Sequence, residues 1–363
     1  MPAQEEVIID LPKRKIGNII KDAVKCAEAV NLVYVSNTEP GIQRLKKGNA
    51  FEYFYQNKKV RDKATLQRIK GLVLPPAWED VWVCAVGNGH LQATGIDTKK
   101  RKQYRYHPLW NSLRNHTKFY RLNEFGKVLP AIRFHLEKDI TLPDLPLDKV
   151  LATVVRLMER TNIRVGNCFY KKLYGSFGLT TFKDKHVAID GQNIRFSFKG
   201  KKGVCHDISI RSKRLANIVK KCRDIAGKEL FQYINEKGEK RTIDSGMVNE
   251  YIRKISGGDF TAKDFRTWAG TVQALMAFKN MALSESETQS KKNIVAALDA
   301  VSKLLGNTRT VCKKYYVHPV IISLYEKKSL ELYTKELDSI EDDNNKTDLT
   351  KDEKVLMKIF ESN

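Results

Sequence analysis

No stretch of this 363-residue chain approaches the roughly 18 consecutive apolar residues that a bilayer-spanning helix needs. The opening MPAQEEVIIDLPKRK also lacks the basic-then-apolar order of a secretory signal. A soluble intracellular protein with no membrane partner is expected. Cysteine is sparse: Cys26, Cys84, Cys168, Cys205, Cys222 and Cys312 form no CxxC pair, which argues against zinc and disulfide frameworks. The seven histidines show no HxxxH pairing, and the central basic segments contain no obvious carboxylate cluster. Neither a metal site nor a cofactor is expected.

Acid is the charge in short supply. Lys and Arg number 65 against 42 Asp and Glu, giving +23 and a pI near 9.6. Residues 336–363 hold nine acids and four bases, a net −5, which leaves +28 on residues 1–335. So basic a body suits a polyanion such as nucleic acid. A hydrophobic content of 42% supports a folded core, large enough for one big domain or two ordinary ones.

The pattern predicts an α+β fold. After a lead-in over 1–30, runs such as LVYV, FEYFY, VWVCAV and LQATGI are broken by turn signals at Asn57-Lys58, Pro75-Pro76 and Gly87-Asn88-Gly89, so 31–112 reads as a β-rich domain with a short helix near 63–70. Residues 113–335 read as helical except for one β island at 187–210, where NIRFSF, the turn GKKG and VCHDISI form a hairpin with Lys201 at its tip. Val150, Leu151, Val154, Val155, Leu157 and Met158 share a helix face. Ser212 caps a later helix, and Thr261 with Asp264 opens another, placing Arg266 in its first turn. Gly306 ends the helix before Asn307, and Thr350-x-x-Glu353 starts a closing helix after the acidic linker.

Within this frame stand Arg164, Lys201, Arg266, Asn307 and, nine residues on, Tyr316. Taken singly, any of 65 bases is more often a solvated surface charge, and any of 14 tyrosines a core or rim residue. GKKG alone is equally an ordinary turn. The ordered set describes phosphodiester cleavage. A tyrosine can attack phosphorus and store the bond as an ester. Arg164 and Arg266 suit the charge of the pentacoordinate phosphorus, Lys201 the proton that the departing oxygen needs, and Asn307 a neutral donor to a phosphate oxygen.

These motifs resemble a known family. IRVGNCFY at 163–170, GSFGLTTFKDKHV at 175–187, FKGKKG at 198–203, FTAKDFRTWAGT at 260–271 and LGNTRTVCKKYYVHP at 305–319 match, in order and spacing, the compact type IB DNA topoisomerases of poxviruses and many bacteria. The resemblance implies relaxation of supercoiled double-stranded DNA without ATP or metal, through single-strand cleavage, a 3′-phosphotyrosyl link on Tyr316, strand rotation and religation. It implies a small β-rich domain and a larger helical one embracing the duplex as a monomeric clamp. Tyr315 is then the neighbour of the nucleophile. Asn307 departs from the poxvirus pattern, which has His there. GIDTKKRKQYRYHP is similar to the family's DNA-facing sheet and implies DNA contacts from Gln103, Tyr104 and Tyr106. A cytoplasmic, nucleoid-associated location follows if the source is bacterial. The competing expectations are a tyrosine site-specific recombinase, whose second motif usually has His where Lys263 begins KDFR, and a non-catalytic basic DNA-binding protein.

Overall fold

The computed structural model describes residues 22–335 and 345–363, apart from 49, 99, 101, 226, 228 and 282–285 and the side chains of 115, 116, 118, 169 and 170. Most of the predicted lead-in, most of the acidic linker and two bases of the GIDTKKRKQYRYHP segment lie outside the described residues. The chain divides into two compact units, Met1–Arg121 and Leu122–Asn363. No helix among the described residues is long and apolar enough to cross a membrane.

The first unit begins with α1 (Ala23–Glu28), capped by the Asp22 carboxylate, which accepts from Val24 N at 2.9 Å. Its six-stranded sheet is antiparallel, with spatial order β3-β2-β1-β4-β5-β6. The strands are β1 (Ile42–Lys47), β2 (Ala50–Tyr55), β3 (Lys58–Lys59), β4 (Glu79–Val83), β5 (Leu91–Ile96) and β6 (Lys102–Tyr106). Gln56 and Asn57 both take positive φ, as a two-residue hairpin turn between β2 and β3 requires. The α2 helix (Lys63–Gly71) buries Ile69 with Ile42, Val81, Val83 and Ala93. The helix α3 (Pro108–Ile140) carries the chain from the first unit into the second.

The second unit is mainly helical and is built around α4 (Leu147–Thr161). Val150, Leu151, Ala152, Val154, Val155, Leu157 and Met158 are all at most 3% exposed, and Lys149, Thr153 and Arg156 on its polar stripe are buried as well, so an amphipathic helix is enclosed on most sides. Next come α5 (Cys168–Tyr174), a sheet of β7 (Val187–Asp190), β8 (Asn193–Lys199) and β9 (Cys205–Arg211), and α6 (Lys213–Asp224), capped by Ser212. The β island therefore has three strands, with the predicted hairpin as its β8–β9 part. A second ribbon, β10 (Gln232–Ile234) with β11 (Lys240–Thr242), interrupts a segment read from sequence as helical. Its three-residue strands are too short to show alternation.

The remaining helices are α7 (Ser245–Ser256), α8 (Ala262–Lys279), α9 (Glu287–Leu305), α10 (Arg309–Tyr315), α11 (Pro319–Glu326), α12 (Glu331–Thr334) and α13 (Lys351–Ser362). In α13 the Thr350–Glu353 box forms: Thr350 N donates to Glu353 at 2.9 Å, and Val355, Leu356, Ile359 and Phe360 join the main core. Glu353 also accepts from Arg133 Nη1 and Nη2 and from Trp268 Nε1, each at 2.8 Å. The closing helix is thus keyed to α3 and α8 by charge as well as by burial.

Candidate active site

Arg164 is positioned by its backbone. The α4 helix stops where Asn162 turns left-handed (φ 56, ψ 16). The chain then runs beside 178–180: Leu179 N donates to Arg164 O at 3.0 Å, and Thr180 N donates to Val165 O at 2.6 Å. The approach is close enough that a methyl on Gly178 would stand 2.4 Å from Arg164 O and 2.6 Å from Gly166 Cα. Only glycine fits there.

The guanidinium of Arg164 donates through Nη2 to Gly306 O at 3.2 Å and to Asn307 Oδ1. Arg266 is the fifth residue of α8, just past the predicted first turn, on a helix start fixed by Asp264, which accepts from Thr261 N at 2.8 Å. It is 5% exposed and donates to Asn162 O and, at 2.7 Å, to Leu305 O. Both arginines therefore grip carbonyls at the C-terminal end of α9, which Gly306 closes in the left-handed conformation (φ 57, ψ 47).

Asn307 follows, its backbone carbonyl held by Ser302 Oγ at 2.7 Å. Its Nδ2 and the Nε of Arg266 are buried donors without an acceptor among the described residues. Such groups are costly unless something binds them.

Tyr316 caps α10, its N–H bonded to Cys312 O at 2.9 Å. Its carbonyl accepts from Thr271 Oγ1 at 3.3 Å and lies where a methyl on Gly270 would come within 2.5 Å. The half-buried ring has the Arg266 guanidinium carbon 5.5 Å from its centroid. Tyr315 is 38% exposed, with Lys314 5.7 Å from its ring centroid. Lys201 occupies the exposed tip between β8 and β9 and lines the same narrow crevice as Asn162, Arg164, His206 and Leu305. The structure thus brings Arg164, Arg266, Asn307 and Tyr316 together and sets Lys201 on the rim.

The electrostatics are those of an unneutralised cationic site. Burial, then the charge of Arg266, push Arg164 down to about 10, against the opposing pull of Tyr316 and Cys312. Burial also lowers Arg266, while its interactions with Tyr316 work the other way. Among the described residues neither arginine has a carboxylate partner. In the same unit Arg133 pairs with Glu159 and Glu353, and Arg156 with Glu137 and Glu159. Carbonyls orient a guanidinium without cancelling its charge, which leaves it for an anion. Sequence reasoning missed the carbonyl grips, the Gly178 and Gly270 contacts and His206. The glycines that precede Lys201 and Asn307 were a signal for His206 alone.

Gln103, Tyr104 and Tyr106 lie on β6, the edge strand of the first unit. Tyr104 is 47% exposed and stacks on Tyr106 at 6.0 Å. Tyr106 packs against the clusters containing Trp110 and Leu91. Gln103 donates to Asp97 at 3.0 Å and, by strand alternation, faces away from both rings.

Two family models match the chain: that described as the eukaryotic DNA topoisomerase I catalytic core over residues 99–344, and that described as the bacterial DNA topoisomerase IB N-terminal domain over residues 50–97. The DNA topoisomerase 1B of Acanthamoeba polyphaga mimivirus is 34% identical over 295 residues, covering 79% of this chain and 88% of the relative. DNA topoisomerase I of Monkeypox virus and DNA topoisomerase 1B of Vaccinia virus (strain Copenhagen) are each 26% identical over 254 residues, covering 69% of this chain and 77% of the relative.

Proposed function

The chain belongs to the type IB DNA topoisomerase family, and from that premise we propose how its own residues relax supercoiled duplex DNA. Tyr316 is the nucleophile. Its Oη, having released its proton to solvent, bonds to the scissile phosphorus. The P–O5′ bond breaks, its electron pair stays on the 5′ oxygen, and that oxygen takes a proton from Lys201 Nζ. The 3′ end is then held as a phosphotyrosyl ester while the 5′-hydroxyl strand rotates. To reseal, the same hydroxyl returns its proton to Lys201 Nζ as its oxygen bonds to phosphorus, and the P–Oη bond breaks with its electron pair left on Tyr316. Arg164 and Arg266 stabilise the charge on the non-bridging oxygens, and Asn307 Nδ2 donates to one of them. The scheme calls on neither ATP nor a metal ion.

The observation that carries this reading is the pair of arginines beside Tyr316, oriented by backbone carbonyls and, among the described residues, without a carboxylate partner. Within the reading, residues 31–112 serve DNA binding, with contacts from Gln103, Tyr104 and Tyr106, and residues 113–335 the chemistry. One chain acts as a monomer clamped on the duplex, inside the cell with its DNA.

The test is denaturant trapping of the covalent DNA adduct, followed by mapping of the modified peptide. Adduct on Tyr316, lost in Tyr316→Phe while DNA binding persists, is the expected result. Adduct on Tyr315, or undiminished relaxation of a plasmid lacking special sites by Tyr316→Phe, would remove Tyr316 from the role.

A further inference from the structure

His206 is the second residue of β9 and pairs across the hairpin with Phe198, on whose ring it stacks at 5.0 Å and 20°. Its imidazole lies against two glycines. A methyl on Gly200 would stand 2.7 Å from both Cδ2 and Nε2, and one on Gly306 would stand 2.4 Å from Cε1. Gly200 immediately precedes Lys201, and Gly306 immediately precedes Asn307.

The backbone at Gly200 (φ −89, ψ −165) is extended, a conformation open to any residue, so its own geometry does not require glycine. The ring beside it is what leaves no room for a side chain. Gly306, in the left-handed region, favours glycine on conformational grounds and excludes a side chain by contact as well.

We infer that His206 is a positioning residue, a wedge between Gly200 and Gly306 that sets the Lys201 tip at a fixed distance from the loop carrying Asn307 and gripping Arg164. The inference rests on the proposed role of Lys201 as proton donor. The tip moves as one piece, because Gly200 N bonds to Val204 O at 2.7 Å and Gly203 N to Gly200 O at 3.1 Å. A shift at Gly200 is therefore passed to Lys201. Burial, then the charges of Arg164 and Arg266, hold the imidazole below the usual histidine range. The wedge is neutral at pH 7 and adds no third positive charge beside the arginines.

The experiment is single-turnover cleavage by the full chain on two duplexes, one natural and one with sulfur in place of the scissile 5′-bridging oxygen. A thiolate leaves unprotonated, since a thiol has a pKa of about 8.5 while a hydroxyl lies near that of water, about 15.7. A misplaced proton donor therefore slows only the natural substrate. His206→Ala is expected to cleave natural DNA about 10- to 100-fold more slowly, with DNA affinity within about twofold of wild type, and to recover to within about threefold on the sulfur duplex.

Gly200→Ala is expected to show the same selective loss by pushing the tip from the other side. In the His206→Ala background the added methyl is expected to change cleavage by less than about twofold. Should His206→Ala fail to fold, Gly200→Ala carries the leaving-group comparison. Equal loss on both duplexes, no loss on either, or strictly multiplicative effects of the two substitutions would overturn the inference. Lys201→Ala separates the failures: if it is not recovered by sulfur, the proton-donor reading falls, and if it is recovered while His206→Ala is not, only the wedge falls.

Discussion

Replacing Glu353 by alanine strips four hydrogen bonds from the interior at once: two from Arg133, one from Trp268 Nε1 and one from Thr350 N. Arg133 and Glu353 are 8% and 6% exposed, so the orphaned guanidinium cannot turn to water. Breaking a buried pair from one side costs about 3–5 kcal/mol. The lower end applies here, because Arg133 keeps Glu159 at 2.7 Å and Asp348 O at 2.6 Å. In a unit as large as Leu122–Asn363, about 3 kcal/mol corresponds to roughly 6–12 °C in Tm.

The pH dependence follows from the same contacts. Burial opposes ionisation of Glu353, but the hydrogen bonds and charge of Arg133 outweigh it and hold the carboxyl below its ordinary range. A depressed folded-state pKa contributes stability that is present above the unfolded value of about 4.3 and lost as pH falls through the folded one. Melting curves of wild type and Glu353→Ala should therefore differ most at neutral pH and draw together below about pH 4. A Tm change under about 2 °C at pH 7, or a gap that stays constant into acid, would refute the reasoning.

Gly178→Ala places a methyl 2.4 Å from Arg164 O, so the 163–166 segment must shift. Single-turnover cleavage should drop by about tenfold or more, while Gly71→Ala, with nothing within 4 Å, leaves the rate unchanged. On β6, Tyr104→Ala should weaken DNA binding several-fold without moving Tm. Tyr106→Ala, removing a partly buried ring beside Trp110 and Leu91, should lower stability by about 1–2 kcal/mol in urea unfolding. DNA affinity should fall linearly on a log–log plot against salt through counterion release; a flat plot would contradict phosphate contacts by the basic body.

How far the sequence reached depended on whether local chemistry or long-range packing set each feature. The Thr350–Glu353 box, the Ser212 cap and the glycine stop at 306 were legible because each is a short-range hydrogen-bonding or φ requirement. The hairpin bearing Lys201 was legible from alternation and its turn. The third strand β7 and the ribbon β10–β11 were not, since strands of three or four residues leave too little periodicity to separate them from loop. Tyr104 and Tyr106 share one face of β6, and their unequal burial comes from Trp110 and Leu91 beside Tyr106 alone, which no local pattern announces. Contacts across 104 and 39 residues, which hold Arg266 on Asn162 O and Leu305 O, have no local sequence pattern at all.

Those long-range contacts also explain how an interior can hold like charges side by side. Arg133 and Arg156 are neutralised by glutamates and serve to fasten α3, α4 and α13 together. Arg164 and Arg266 instead receive the carbonyls of a helix end, where the partial negative charge of the α9 dipole gathers. About half a charge of helix dipole cannot cancel two guanidinium charges. Its attraction for each guanidinium offsets part of their mutual repulsion and leaves a net positive field in the crevice. A phosphodiester gaining negative charge as Tyr316 approaches would complete the neutralisation, so the electrostatic cost carried by the folded chain is relieved most at the moment of bond exchange.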